Sequence, residues 1–173
     1  MIVGKKTILR NIKKEDLKIL RDWRNSSGIR DFNTQYILLN IKNQNCWYDS
    51  ISRKNSERKM FMILDKQNKR IGICGLIHID KENRNSDVAI IIGKKDIHGK
   101  GFGSDSLRTL LNYGFKELKM HRIGAEILEF NKKSISFFEK LNFKYEAELK
   151  RNLWRNGRWY NTLVYSILKN EFK

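Results

Sequence analysis

The feature that most constrains this chain is a glycine-rich segment at residues 98–104, which reads HGKGFGS. An apolar run, VAIII at residues 88–92, precedes it, and a segment with helical periodicity begins near Ser104. This order predicts a strand, a tight turn and a helix. Glycines let the backbone approach an anion closely, and the free amides at a helix start attract negative charge. The segment therefore predicts a site for a phosphorylated ligand, although the glycines alone fit a tight turn without a ligand.

The rest of the chain alternates between strand-like and helix-like segments, with turn residues between them. We expect helices at residues 15–23, 40–52 and 134–141, besides the helix that follows the glycines. We expect strands at residues 7–10, 60–64, 70–79, 87–93, 122–130, 143–153 and 161–168. The pair Asn156-Gly157 is a strong hairpin signal between the last two strands. The pattern predicts a mixed α/β fold with a mostly antiparallel sheet.

Length and composition predict one globular domain spanning residues 1–173, because 173 residues can bury a sizeable core. No apolar run approaches the ~20 residues needed to span a bilayer. The N-terminal residues lack a secretory pattern, so a cytoplasmic location is expected. Cys46 and Cys74 fall in different predicted elements, which favours free thiols over a disulfide.

The formal net charge of +17 invites a nucleic-acid interpretation. The basic residues are spread over almost every segment, however, and form no long basic tail. Dispersed charge favours a solvated surface with some steering of a polyanionic ligand such as a nucleotide. A basic nucleic-acid-binding module therefore stays the weaker alternative.

Several motifs occur in an order that resembles the Gcn5-related N-acetyltransferases. They are the apolar strand, His98-x-x-Gly101-x-Gly103, a helix, a strand, Asn131 and the block FFEKLNF at residues 137–143. The ribosomal-protein-alanine acetyltransferase-like branch of that family is the most similar. The resemblance implies a twisted sheet flanked by helices, in which a splayed central strand pair holds acetyl-CoA. It also implies that the chain transfers acetyl groups to primary amines, without a metal, and forms a homodimer.

The resemblance implies roles for residues along the cofactor. Backbone amides of the glycine-rich segment would hold the pyrophosphate, and the end of the preceding strand would pair with pantetheine. The implied cofactor-binding residues are Ile91, Ile92, Gly93, His98, Gly99, Lys100, Gly101, Phe102, Gly103, Ser104, Asn131, Phe137 and Lys140. For His98, capping or packing of the loop is favoured over chemistry. His78 and His121 lack a nearby cluster of cysteines or acids, so metal binding is not expected.

Three residues are candidates for catalysis. Many family members carry a tyrosine at the position of Phe138, and phenylalanine cannot donate a proton to the departing thiolate. Ser134 matches a serine of the ribosomal-protein branch and could bond the sulfur, or it could cap the helix that follows. Asp87 and Glu126 are candidate bases acting through water, with exposed strand carboxylates as the alternative.

The acceptor is indicated less directly. The segment Trp23-Arg24-Asn25, with Arg30 and Trp47, is similar to that of acetyltransferases of nucleotide-linked amino sugars. The arginines could bind phosphates and the tryptophans could stack, although the tryptophans could also be core residues. A nucleotide-linked amino sugar or a protein N-terminal amine is the expected acceptor. The alternatives are a polyamine, another small amine, or no acceptor in a non-catalytic acyl-CoA sensor.

Overall fold

A central sheet with helices on both faces positions the glycine-rich segment. The computed structural model describes residues 1–33 and 36–173, and within these ranges it contains eight strands and five α-helices. The strands are β1 (Ile2–Val3), β2 (Thr7–Asn11), β3 (Lys59–Asp65), β4 (Arg70–Asp80), β5 (Asn85–Ile92), β6 (Arg122–Leu128), β7 (Lys144–Arg155) and β8 (Arg158–Leu168). The α-helices are α1 (Leu17–Asn25), α2 (Ser27–Arg30), α3 (Ile41–Ser52), α4 (Phe102–Lys116) and α5 (Lys132–Glu139). Short 3-10 helices span Lys14–Asp16 and Lys95–Ile97.

The sheet has the strand order β1-β2-β3-β4-β5-β6-β8-β7. The neighbouring strands are antiparallel except β5 and β6, which are parallel. The connection between these two strands contains the glycine-rich segment and α4. The mixed, mostly antiparallel sheet expected from the sequence is therefore confirmed.

Each face of the sheet has its own apolar core. On one face, α4 buries Leu107, Leu110, Leu111 and Phe115, as its helical periodicity predicted. On the other face, α1 and α3 pack over β2, β3 and β4. There the cluster contains Leu17, Leu20, Met62, Leu64 and Ile73, with Trp23 and Trp47 partly buried against it.

Several element boundaries differ from those expected. Helix α4 begins at Phe102, and α5 begins at Lys132, before the expected Ser134. The cause is the residue before each helix, because Gly101 adopts a left-handed conformation at the N-cap of α4 and Asn131 caps α5. The last two strands run up to Asn156-Gly157, whose φ angles of 50° and 79° suit the two-residue hairpin turn.

No helix in the described ranges combines the length and the hydropathy that a membrane crossing requires. Cys46 is exposed, Cys74 is buried, and both are free thiols, as predicted. Burial raises the pKa of the Cys74 thiol, so this residue is an inert part of the core.

Candidate active site

The two central strands separate where the cofactor was expected to bind. Residues 85–87 of β5 pair with residues 122–124 of β6, and beyond these positions β5 continues to Ile92 and β6 to Leu128. On its other edge, β5 stays paired with β4 as far as Ile92. The separation leaves main-chain groups of β5 and β6 facing each other without a strand partner, and such groups need other hydrogen-bonding partners. A ligand with amide groups can satisfy them.

The glycine-rich loop leads directly from the open end of β5 into α4. Gly99 has a φ of +78° and Gly101 has a φ of +85°, a conformation that glycine adopts without strain. No side chain caps α4, and the first intrahelical amide bond runs from Asp105 to the carbonyl of Gly101 at 3.0 Å. The amides of Phe102, Gly103 and Ser104 therefore point out of the helix start, where the helix dipole favours an anion.

A lysine that the sequence did not indicate also borders this loop. The Nζ atom of Lys6 donates to the carbonyl of Lys100 at 2.9 Å. A Cβ atom placed on Gly101 would lie 3.4 Å from the same Nζ atom. Because Lys6 lies in the turn between β1 and β2, no local sequence pattern connects it with the loop. It brings a positive charge to the start of α4.

Asp105 ties the first turn of α4 to the same β1–β2 turn. Its carboxylate accepts hydrogen bonds from the amides of Lys5 (3.0 Å), Lys6 (2.8 Å) and Thr7 (2.8 Å), and from the Thr7 hydroxyl (2.7 Å). Burial alone would raise the pKa of Asp105, but these hydrogen bonds outweigh it and lower the pKa below its ordinary value. The ionised Asp105 therefore fixes the direction in which the helix start points.

His98 holds the loop against the end of β5. Its Nε2 atom donates to the carbonyl of Ile92 at 3.1 Å, since a carbonyl can only accept. The side chain itself is exposed. This contact is of the kind that the capping prediction for His98 requires.

Helix α5 approaches the loop through Phe137. A Cβ atom on Gly103 would lie 3.4 Å from Cε2 of Phe137 and 3.5 Å from Cγ1 of Ile92. The first turn of α4, α5 and the end of β5 therefore lie next to one another at Gly103. Lys140, at the C-terminal end of α5, is exposed. Its predicted contact with a phosphate stays a prediction.

Of the two alternatives for Ser134, the capping role is wrong. The side chain of Asn131 is the N-cap of α5, and its Oδ1 accepts from the Ser134 amide at 3.2 Å. Ser134 lies within the first helical turn and is half-buried, so its hydroxyl is not used as the cap. Phe138 is 6% exposed and packs edge-on against Phe137 and Phe143, with ring centroids 5.3 and 5.0 Å apart.

Asp87 and Glu126 lie on the same face of the sheet, at the base of the separation. Asp87 pairs with Gly124, and Glu126 follows two positions further along β6, so both side chains point toward the α1 and α3 side. His78 contacts one of these carboxylates, because its Nδ1 atom lies 2.9 Å from Oδ2 of Asp87. The described residues nevertheless contain no cluster of three or more potential metal ligands.

The predicted acceptor residues are two tryptophans, which pack against the apolar cluster under α1 and α3, and two arginines. The indole of Trp23 covers the end of β5, because a Cβ atom on Gly93 would lie 2.1 Å from its Cδ2 atom. Trp47 packs against the same apolar cluster, which matches the core alternative for both tryptophans. Arg24 is half-buried, and burial lowers its pKa. Arg30 lies further along, with its guanidinium carbon 5.1 Å from the ring centroid of Tyr36.

The separated strands therefore lie between two chemically different sides. One side is the start of α4, with its free amides and Lys6. The other side is the face of the sheet that carries Asp87 and Glu126 and on which α1 and α3 pack. An acyl thioester entering from the first side would meet an amine entering from the second, and holding both reactants in this way accelerates the transfer.

Comparison with known proteins agrees with this geometry. The profile of the Acetyltransferase (GNAT) domain family matches residues 6–144. An uncharacterized N-acetyltransferase, p20, from Bacillus licheniformis is 30% identical over 72% of this chain and 69% of its own length. A spermidine N(1)-acetyltransferase from Vibrio cholerae is 26% identical over 95% of this chain and 94% of its own.

A solved structure has the same fold. The spermidine N-acetyltransferase of Vibrio cholerae, crystallised with CoA and spermine, superposes with a TM-score of 0.89 at 24% identity and covers 97% of this chain and 98% of that one. Enzymes of the family use acetyl-CoA as the acetyl donor, which fits the separated strands and the amides at the start of α4. The chain belongs to the GNAT family and is an acetyl-CoA-dependent N-acetyltransferase.

Proposed function

We propose that this enzyme acetylates a primary amine of a polyamine of the spermidine type. Two spermidine N(1)-acetyltransferases, from Vibrio cholerae and Escherichia coli, match 95% of the chain. Their names support the polyamine alternative better than the nucleotide-linked amino sugar or protein N-terminus expected first. The carboxylates of Asp87 and Glu126, on the acceptor face of the separated strands, supply negative charge for a cationic amine.

The proposed reaction is a direct transfer. A polyamine nitrogen is protonated at neutral pH, since amines of this kind have a pKa of about 10. It must lose a proton, which Asp87 or Glu126 accepts through water, before its lone pair attacks the thioester carbonyl. Collapse of the tetrahedral intermediate breaks the carbon–sulfur bond and releases the CoA thiolate, and the second proton that the nitrogen loses neutralises this thiolate. The Ser134 hydroxyl is the proposed hydrogen-bond donor to that sulfur.

Release of free CoA from acetyl-CoA tests the acceptor. We expect release when spermidine or spermine is added, and little release with a peptide that has a free N-terminus. A chain that releases CoA only with another amine class would contradict the polyamine proposal but leave the acetyltransferase activity intact. Binding of acetyl-CoA without turnover of any amine would instead indicate an acyl-CoA sensor.

Two variants separate the candidate bases. We expect Asp87→Asn or Glu126→Gln to lower kcat by about 100-fold, the usual contribution of general base catalysis. Only one of the two carboxylates is expected to be the base. Replacing the other one should change only the KM for the amine. Lys81→Gln, an exposed change in the turn between β4 and β5, is the matched control. If both carboxylate variants keep the wild-type kcat at every pH, neither residue is the base.

A second acceptor class is favoured by the charge of the first helical segment. Residues 17–52 contain five basic and three acidic residues, and the basic ones include Arg24 and Arg30, which the sequence predicted to bind the acceptor. A positive segment attracts an amine that carries a phosphate and repels a polycation. A nucleotide-linked amino sugar therefore belongs in the same CoA-release screen. Release that depends on the phosphate-bearing amine would favour this class over polyamines.

Other properties stay predictions. We propose that residues 1–173 form a single acetyltransferase domain, because one sheet contains strands from both ends of the chain. A homodimer and the placement in the ribosomal-protein-alanine acetyltransferase-like branch rest on the resemblance alone, and the cytoplasmic location rests on the N-terminal sequence pattern.

A further inference from the structure

Arg155 is a buried cation at the end of β7, immediately before the Asn156-Gly157 turn. It is 5% exposed. Its guanidinium donates to the carbonyl of Asp31 at 2.6 Å and to the carbonyl of Asn33 at 2.5 Å. These contacts join positions more than 120 residues apart in the sequence, since the separations are 124 and 122. One side chain therefore fastens the hairpin tip to the segment that follows α2.

An aromatic ring covers the same guanidinium. The Cζ atom of Arg155 lies 4.4 Å from the ring centroid of Tyr36, and that of Arg30 lies 5.1 Å from it. Both distances are within the range of a cation–π interaction. The arginine pair and Tyr36, with the carbonyls of Asp31 and Asn33, are called the arginine clamp below.

The arginine clamp connects with the cofactor side through a row of aromatic rings. The Phe32 and Phe130 centroids are 5.9 Å apart, and those of Phe130 and Tyr160 are 4.7 Å apart. Phe130 directly precedes Asn131, the N-cap of α5. The segment after α2, the hairpin and the start of α5 are therefore packed against one another.

The chemistry of the clamp requires an arginine. Within the described ranges, no carboxylate forms an ion pair with Arg155, so its charge is balanced by main-chain carbonyls and the Tyr36 ring. Burial of a charge is costly unless it is hydrogen-bonded in this way. The planar guanidinium group of arginine donates to two carbonyls while it stacks on the ring. The single ammonium group of lysine cannot do both.

We infer that Arg155 is a positioning residue that holds the segment following α2 against the acceptor side of the separated strands, and so sets the affinity for the amine. Helix α1 covers the end of β5 through Trp23, and α2 packs against α1, which places the segment that follows α2 beside the acceptor face. The inference rests on the proposed function only in assigning this face to the amine. It does not depend on which amine is acetylated.

Steady-state kinetics of Arg155→Lys and Arg155→Ala test this role. Because the clamp lies on the acceptor side, we expect both variants to bind the amine more weakly. The KM for the amine should rise about tenfold or more. The KM for acetyl-CoA and the kcat at saturating amine should stay within about twofold of wild type. Lys150→Ala, which removes a charge from an exposed position on the same strand, is the matched control.

Amide hydrogen exchange tests whether the arginine clamp holds the segment after α2, and it needs no amine substrate. In Arg155→Lys, the amides of residues 30–33 and 36–39 should exchange faster than in wild type, and those of α4 should not change. Tyr36→Leu, which removes the ring and keeps Arg155, should produce the same local effect. If wild type acetylates no amine, the proposed function fails and the exchange data still decide whether the clamp exists.

Two results would overturn the inference. One is an unchanged KM for the amine together with unchanged exchange at residues 30–33. The other is faster exchange throughout the sheet with equal rises in both KM values, because that pattern indicates a general loss of stability and no specific positioning.

Discussion

Phe138 has no hydroxyl to offer a departing thiolate, and its ring is buried between Phe137 and Phe143. Ser134 lies one helical turn before it, and the Asn131 side chain performs the capping that the serine could otherwise provide. The serine hydroxyl is therefore available for a role at the sulfur. This division of roles between Asn131 and Ser134 was not visible in the sequence, because both residue types cap helices well.

Ser134→Ala tests that role. If its hydroxyl bonds the departing sulfur, kcat should fall by about 100-fold, while CoA affinity and thermal stability stay near wild type. Ser136→Ala, an exposed change on the same helix, is the control and should leave kcat unaltered. Wild-type kcat in Ser134→Ala, measured by CoA release, would exclude this serine as the thiolate partner.

At the scale of elements, Asp16 fixes the start of α1 against the sheet. Its fully buried carboxylate accepts from Arg10 at 2.7 and 2.8 Å and from the Lys13 amide at 2.8 Å, and it pairs with Arg70 at 2.8 Å. Burial alone would raise the pKa of Asp16, but the hydrogen bonds and the two arginines outweigh it and lower the pKa. The sequence predicted the helix but not this anchor, which depends on β2 and β4.

Replacing this carboxylate should destabilise the fold. We expect Asp16→Asn to reduce the free energy of unfolding in urea by about 3 kcal/mol, because it replaces a buried charge that pairs with two partly buried arginines. Asp22→Asn, which alters an exposed pair with Arg21, should change it by less than about 1 kcal/mol. Equal effects of the two substitutions would contradict the anchoring role.

The lowered pKa also predicts the direction of acid sensitivity. Because the folded-state pKa of Asp16 lies below its unfolded value of about 4, its stabilising contribution is complete above that pH. The contribution is lost as the pH falls through the folded-state pKa. Unfolding curves at falling pH should therefore show a steeper loss of stability for wild type than for Asp16→Asn.

How far the sequence predicted each element depends on how local its contacts are. The strand, glycine loop and α4 follow from neighbouring residues, and their order was predicted correctly around Gly101 and Leu107. Other contacts join residues about 100 positions apart, namely the hydrogen bonds of Lys6, Asp105 and Arg155. Neither hydrophobic periodicity nor a local motif could indicate their partners. Gly93 was assigned to the cofactor alone, yet its missing side chain also makes room for Trp23.

At the scale of the whole molecule, a formal net charge of +17 is spread over a fold whose cofactor is an anion. Such a field attracts acetyl-CoA and weakens with salt. It does not by itself decide the acceptor. The carboxylates at the strand separation favour a cation, whereas the arginines beside α2 favour an anionic group.

The most direct test of the central claim is calorimetric titration of acetyl-CoA into wild type and Gly101→Glu. At Gly101, a φ of +85° disfavours any side chain, and a carboxylate beside the amides of α4 would repel the pyrophosphate. We expect saturable binding by wild type and at least about 100-fold weaker binding by Gly101→Glu, equivalent to about 2.7 kcal/mol. Gly157→Glu introduces the same residue at a φ of +79° in the hairpin turn and should bind like wild type. Wild-type affinity in Gly101→Glu would contradict the placement of acetyl-CoA at the start of α4.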